Sequence, residues 1–112
     1  MTEERNILLK DPVYDELPDS ELKRQTAEGT IPVRARALGA LSRRAASQNE
    51  LLDYVGEAIL DPHNQKLVVM GVITVSYLGI YSLFVTKNDE CVKKAKELYA
   101  KWPPEEIGRA HV

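Results

Sequence analysis

Leu67 to Thr86 reads LVVMGVITVSYLGIYSLFVT, twenty residues without a charge, a proline or an amide side chain, bounded by Lys66 and Lys87. At roughly 1.5 Å per residue a helix of this length covers about 30 Å, the thickness of a bilayer's hydrocarbon core. The competing arrangement is a buried core helix or a pair of buried strands, and the Val, Ile and Tyr content suits strands. The rest of the chain decides between them, because it offers too little apolar surface to wrap so long a helix on every side. Lipid or neighbouring subunits must then cover it. The sequence therefore predicts one membrane-spanning helix, entered about one turn earlier at Asp61-Pro62, where a carboxylate caps and proline takes the first helical position.

The ends and faces of this segment support the same expectation. Lys66, Tyr77, Tyr81, Phe84 and Lys87 are read as membrane-interface anchors, since amphipathic rings sit at the headgroup level and lysines snorkel. Gly71, Val75, Gly79 and Ser82 follow one another at intervals of four, four and three. They share a helix face on which another backbone can come close, a weakened form of small-xxx-small packing. Lys87, Lys93, Lys94, Lys96 and Lys101 follow the segment against Lys66 alone before it, which places the C-terminus on the matrix or cytosolic side.

Four segments result. Residues 1–18 form an extended arm with Pro12 and Pro18. Residues 19–60 hold short amphipathic helices: one capped by Asp19 or Ser20 and closed by a left-handed Gly29, one from about Thr30 through Ala46, and one from about Gln48 opened by the capping box Ser47-Gln48-Asn49-Glu50. Residues 61–87 are the span, and residues 88–112 a basic helical tail stopped by Pro103-Pro104. The fold class expected is all-α, not an independent globular domain. Arg34, Arg36, Arg43 and Arg44 on the second helix suit lipid phosphates or a partner's groove, and a solvated face accounts for them equally well.

Composition narrows the chemistry. With 15 basic against 17 acidic residues there is no general attraction to nucleic acid, and no aromatic residues interleave with the arginines to stack on bases. The acidic start argues against a secretory or transit peptide. Cys91 stands alone, and His63 and His111 are far apart, so neither a metal nor another cofactor is expected. There is no phosphate loop and no nucleophile at a known spacing from a base. The pairs Glu3-Glu4 and Glu105-Glu106 read as solvated surface, so no enzyme is expected.

The layout of charged arm, short helices, one span and basic tail resembles the supernumerary subunits of mitochondrial respiratory complexes. The stretches DPHNQKLVVMGV and KKAKELYAK look somewhat like the ESSS-type accessory subunit of complex I. This resemblance covers about a third of the chain and ends at Trp102. It implies a non-catalytic subunit of an oxidative-phosphorylation complex in the mitochondrial inner membrane, with other subunits and membrane lipids, anionic ones included, as partners. The second expectation is a tail-anchored adaptor whose N-terminal helices form a small binding module. The two differ in whether residues 1–60 fold alone.

Overall fold

The computed structural model describes residues 11 to 71 and 73 to 101. A 3₁₀ turn, Tyr14–Glu16, leads into α1 (Asp19–Glu28), α2 (Ile31–Arg44), α3 (Leu51–Leu60) and the single-turn α4 (Pro62–Lys66). A hairpin of β1 (Val68–Met70) and β2 (Ile73–Thr74) follows, then α5 (Val75–Val85) and α6 (Asp89–Ala100). β1 and β2 are antiparallel, with Val68 opposite Thr74 and Met70 opposite Ile73, and the register is irregular between those pairs.

The expected membrane helix is corrected here. The apolar stretch breaks at Gly71, whose φ of +53° lies in the left-handed region that only glycine adopts readily. The break is reinforced by β-branched residues before and after it, which suit a pleated strand. Helix resumes only where Thr74 caps it, its hydroxyl accepting from the Tyr77 N–H at 3.1 Å. What is left, α5, has 11 residues. It measures about 17 Å, little more than half a bilayer core. Among the described residues no helix is long and apolar enough to cross a membrane. The two-stranded sheet also departs from an all-α fold.

The cover that the sequence did not promise comes mainly from α2. Every residue from Ala37 to Ser42 is buried, small side chains included, so α2 contributes backbone and alanine surface as well as Leu38 and Leu41. α1 and α5 pack on α2 more extensively than any other elements, and α3 lies across α5 and α6. One apolar core joins side chains from Tyr14 to Leu98, including Leu22, Leu38, Val55, Ile59, Val75 and Leu83. The Cα radius of gyration, 12.8 Å, is that of a compact domain of about 100 residues, for which about 13 Å is expected. The helices ahead of the apolar stretch therefore share their core with those after it.

Local signals explain most boundaries. Asp61 accepts from the His63 N–H at 2.9 Å, so the Asp-Pro cap forms, but the helix it opens ends at Lys66. Asn88 accepts from the Cys91 N–H at 3.1 Å and starts α6 after Lys87, whose φ is +58°. Three expected caps differ. Neither Asp19 nor Ser20 caps α1, because Pro18 holds the capping position and no side chain caps it. The Ser47 hydroxyl donates to the Arg44 carbonyl at 3.3 Å instead of opening a capping box, and α3 begins at Leu51 after a turn. Gly29, with φ −74°, is not left-handed. The part of the extended arm before Asp11, and the Pro103-Pro104 stop, lie outside the described residues.

Candidate functional site

The four arginines of α2 each meet a partner within the chain. Arg34 closes the C-terminus of α1: Nε donates to the Gly29 carbonyl at 2.8 Å, Nη1 to Thr26 at 3.2 Å and Nη2 to Ala27 at 2.5 Å. Those carbonyls have no partner inside α1 and carry the negative end of its dipole, so a cation suits them. Nη1 also donates to Asn64 Oδ1 at 3.1 Å, and buried Asn64 in turn donates to the Ala58 carbonyl at 2.9 Å. Two side chains thus finish α1 and α3 together.

The other three arginines face residues 11 to 19. Arg36 holds Asp11 through both carboxylate oxygens, at 2.8 and 2.9 Å, and its guanidinium lies 4.2 Å from the centroid of the Tyr14 ring. Arg43 donates to Asp15 Oδ1 at 2.9 Å. Arg44 donates to Asp19 Oδ1 at 2.6 Å and to the Asp15 carbonyl at 2.8 Å. The hydrogen bond from Arg36 holds the Asp11 carboxyl below its ordinary value, against the opposing effect of burial. The same pairing raises Arg36. The strap formed by residues 11–17 is therefore fastened to α2 mostly by charge, with Tyr14 as its buried apolar anchor.

This fastening is incomplete. A cavity of about 90 Å3 remains beneath the strap, lined by Asp11, Arg36, Gly39, Arg43, Leu78 and Ser82 among others. Arg43 Nε, on one of the lining residues, is buried with no hydrogen-bond partner among the described residues. A buried charged donor without an acceptor is costly, so this atom is the least satisfied point of the contact.

The residues picked from the apolar stretch divide. Val75, Gly79 and Ser82 are buried on α5, whereas Gly71 is exposed at the hairpin turn. A Cβ on Gly79 would lie 2.9 Å from both Leu38 Cδ2 and Ile59 Cγ1, so the close approach is to α2 and α3 of the same chain. Of the expected interface anchors, Lys66 and Lys87 are exposed at the end of α4 and between α5 and α6. Tyr77, Tyr81 and Phe84 lie on the outer side of α5, where with Ile80 and Tyr99 they line a groove of about 220 Å3. Tyr81 and Phe84 are 41% and 37% exposed.

Chemistry-bearing residues are few. Cys91 is buried, and burial raises its thiol pKa. His63 is exposed at the start of α4, and His111 is outside the described residues. Among the described residues no group of His, Cys, Asp or Glu could hold a metal ion. Sequence reasoning missed the pairing of Asp11, Asp15 and Asp19 with the arginines, reading the first two as acidic background and Asp19 as a helix cap. Their spacing of four, opposite an arginine-rich helix, was the available signal. No family model, no curated protein and no solved structure matches the chain.

Proposed function

We propose that this chain is a non-catalytic binding subunit, a small helical bundle that docks on a larger protein assembly through the aromatic side of α5. The observation that carries this reading is the pair Tyr81 and Phe84, large apolar side chains left partly exposed on an element whose other faces are buried. Aromatic anchors of this kind are enriched where proteins associate, because they bury much area at small loss of side-chain freedom. The span that pointed to a respiratory complex is replaced by a hairpin and a core helix. The tail-anchored adaptor loses its anchor by the same correction. Its binding module is not separable either, as α1 to α3 share one core with α5 and α6.

Native separation of gently extracted cells tests the proposal, comparing the wild-type chain with a Tyr81→Ser, Phe84→Ser double variant. The wild type should migrate in a high-mass species. The variant should fall to the mass of the free chain while its circular dichroism stays unchanged. Wild type found only at its own mass, or a folded variant still in the large species, would refute the reading.

A further inference from the structure

We propose that the strap is a built-in occupant of a binding surface: residues 11–17, together with the Asp19 side chain at the start of α1, cover an arginine stripe of α2 that takes an acidic helical segment of a partner protein. The inference rests on the reading of this chain as a binding subunit and adds a second contact surface with defined chemistry.

Three observations carry it. The contact is made by one kind of pair repeated three times, Asp11 with Arg36, Asp15 with Arg43 and Asp19 with Arg44. Its carboxylates stand four residues apart in sequence although only Asp19 lies in an α-helix, and on a continuous helix the same interval places side chains on one face about 6 Å from each other. An acidic helix with carboxylates at every fourth position can therefore present the same charges to the same arginines. The planar guanidinium fork favours carboxylates over a diffuse negative surface, as the two-oxygen grip of Arg36 on Asp11 illustrates.

The strap is also an imperfect ligand. It leaves the cavity of about 90 Å3 and does not reach the buried Arg43 Nε. It contributes only a 3₁₀ turn of three residues, and its pairs keep one partly exposed member each, Arg36 at 47%, Asp15 at 34% and Asp19 at 41%. A partner helix with a longer side chain, glutamate in place of aspartate, can supply an acceptor to Arg43 Nε and displace the strap. Because the strap is tethered, its effective concentration is on the order of millimolar, and it suppresses weak competitors.

The test uses the full chain and a synthetic helical peptide with glutamate at every fourth position of an alanine host. Binding is followed by fluorescence anisotropy for wild type and for the Asp11→Asn, Asp15→Asn, Asp19→Asn triple variant. The triple variant should bind the peptide at least about tenfold tighter, and Arg43→Gln added to it should abolish the gain. A folded triple variant that binds no tighter than wild type overturns the proposal. So does a triple variant that ignores the peptide and binds vesicles containing phosphatidylserine.

Hydrogen exchange on the wild-type chain keeps the test decisive if the triple variant does not fold. The Asp15 and Leu17 amides of the strap should exchange at least about a hundredfold faster than the Leu41 and Ala45 amides of α2. Equal protection would make the strap part of the cooperative fold and remove the inference. These readouts do not involve α5, so their failure leaves the native-migration test of the aromatic face standing, and the converse holds.

Discussion

On one side of α2, Leu38 reaches the bare backbone of Gly79 on α5 and meets Ile59 of α3 there. On the other side, Arg36, Arg43 and Arg44 hold two aspartates of the N-terminal strap and Asp19 at the start of α1. The first contact is apolar, fully buried and intolerant of an added methyl group. The second is charged, partly hydrated and leaves a void. Dispersion and burial depend steeply on fit, whereas exposed or half-exposed ion pairs are worth little. The comparison teaches that the bundle's stability resides where α2, α3, α5 and α6 meet, and that the strap is an addition to it.

The largest expected effect comes from breaking the apolar side. Gly79→Val places methyl groups where Leu38 and Ile59 already stand, and neither can retreat in a closed core. A loss of about 3 kcal/mol is expected, read as the shift of a urea unfolding midpoint. A change below about 1 kcal/mol would show that α5 does not pack there.

Arg34→Ala comes next. It removes a charged donor from three carbonyls at the end of α1 and from Asn64, which leaves a buried amide oxygen short of a partner. About 2 kcal/mol should be lost. Arg34→Lys should restore only part of it, because an ammonium lacks the planar fork.

Asp11→Asn sharpens the charged side and should have a smaller effect, about 1 kcal/mol at neutral pH, since Arg36 is half exposed. The folded Asp11 carboxyl titrates lower than the unfolded one, chiefly through the Arg36 hydrogen bond. Its stabilisation is therefore complete above about pH 4 and is lost as pH falls through the folded value. Urea midpoints should separate wild type from Asp11→Asn at pH 7 and converge at strongly acidic pH. A gap that persists at low pH would assign the effect to packing instead of charge.

Glu21 offers the smallest contrast. It is lowered to about 2 by hydrogen bonds from Arg24 and Gln25 on its own helix, yet it stays at the surface with about a third of its side chain exposed. Glu21→Gln should leave the urea midpoint indistinguishable from that of wild type at neutral pH. A measurable loss would mean that local helix pairs matter more to this bundle than the α2 contacts do.

Much of the helical layout was legible from residue order. α1 and α2 lie close to the expected ranges, α6 falls within the expected helical tail, and the Asp61-Pro62 corner forms its cap. The central error came from treating hydrophobicity as length. Twenty uncharged residues can span a bilayer, but a left-handed glycine at position 71 and a threonine cap at position 74 convert them into a hairpin and a shorter helix. Burial of that helix needed less cover than a full span, and α2 provided it through alanine, glycine and serine positions that an apolar-stripe count omits. The strap was illegible for a different reason. Ion pairs between residues 25 or more positions apart leave nothing in either segment alone that identifies its partner, even where the aspartates recur every four residues.

Nuclear Overhauser contacts of Gly79 test the account most directly. In the full-length chain, the Gly79 α-protons should show cross-peaks to the methyl groups of Leu38 and Ile59, together with an interruption of sequential helical contacts around Gly71. An unbroken helical pattern from Leu67 to Thr86, with no contact from Gly79 to either methyl-bearing residue, would contradict it.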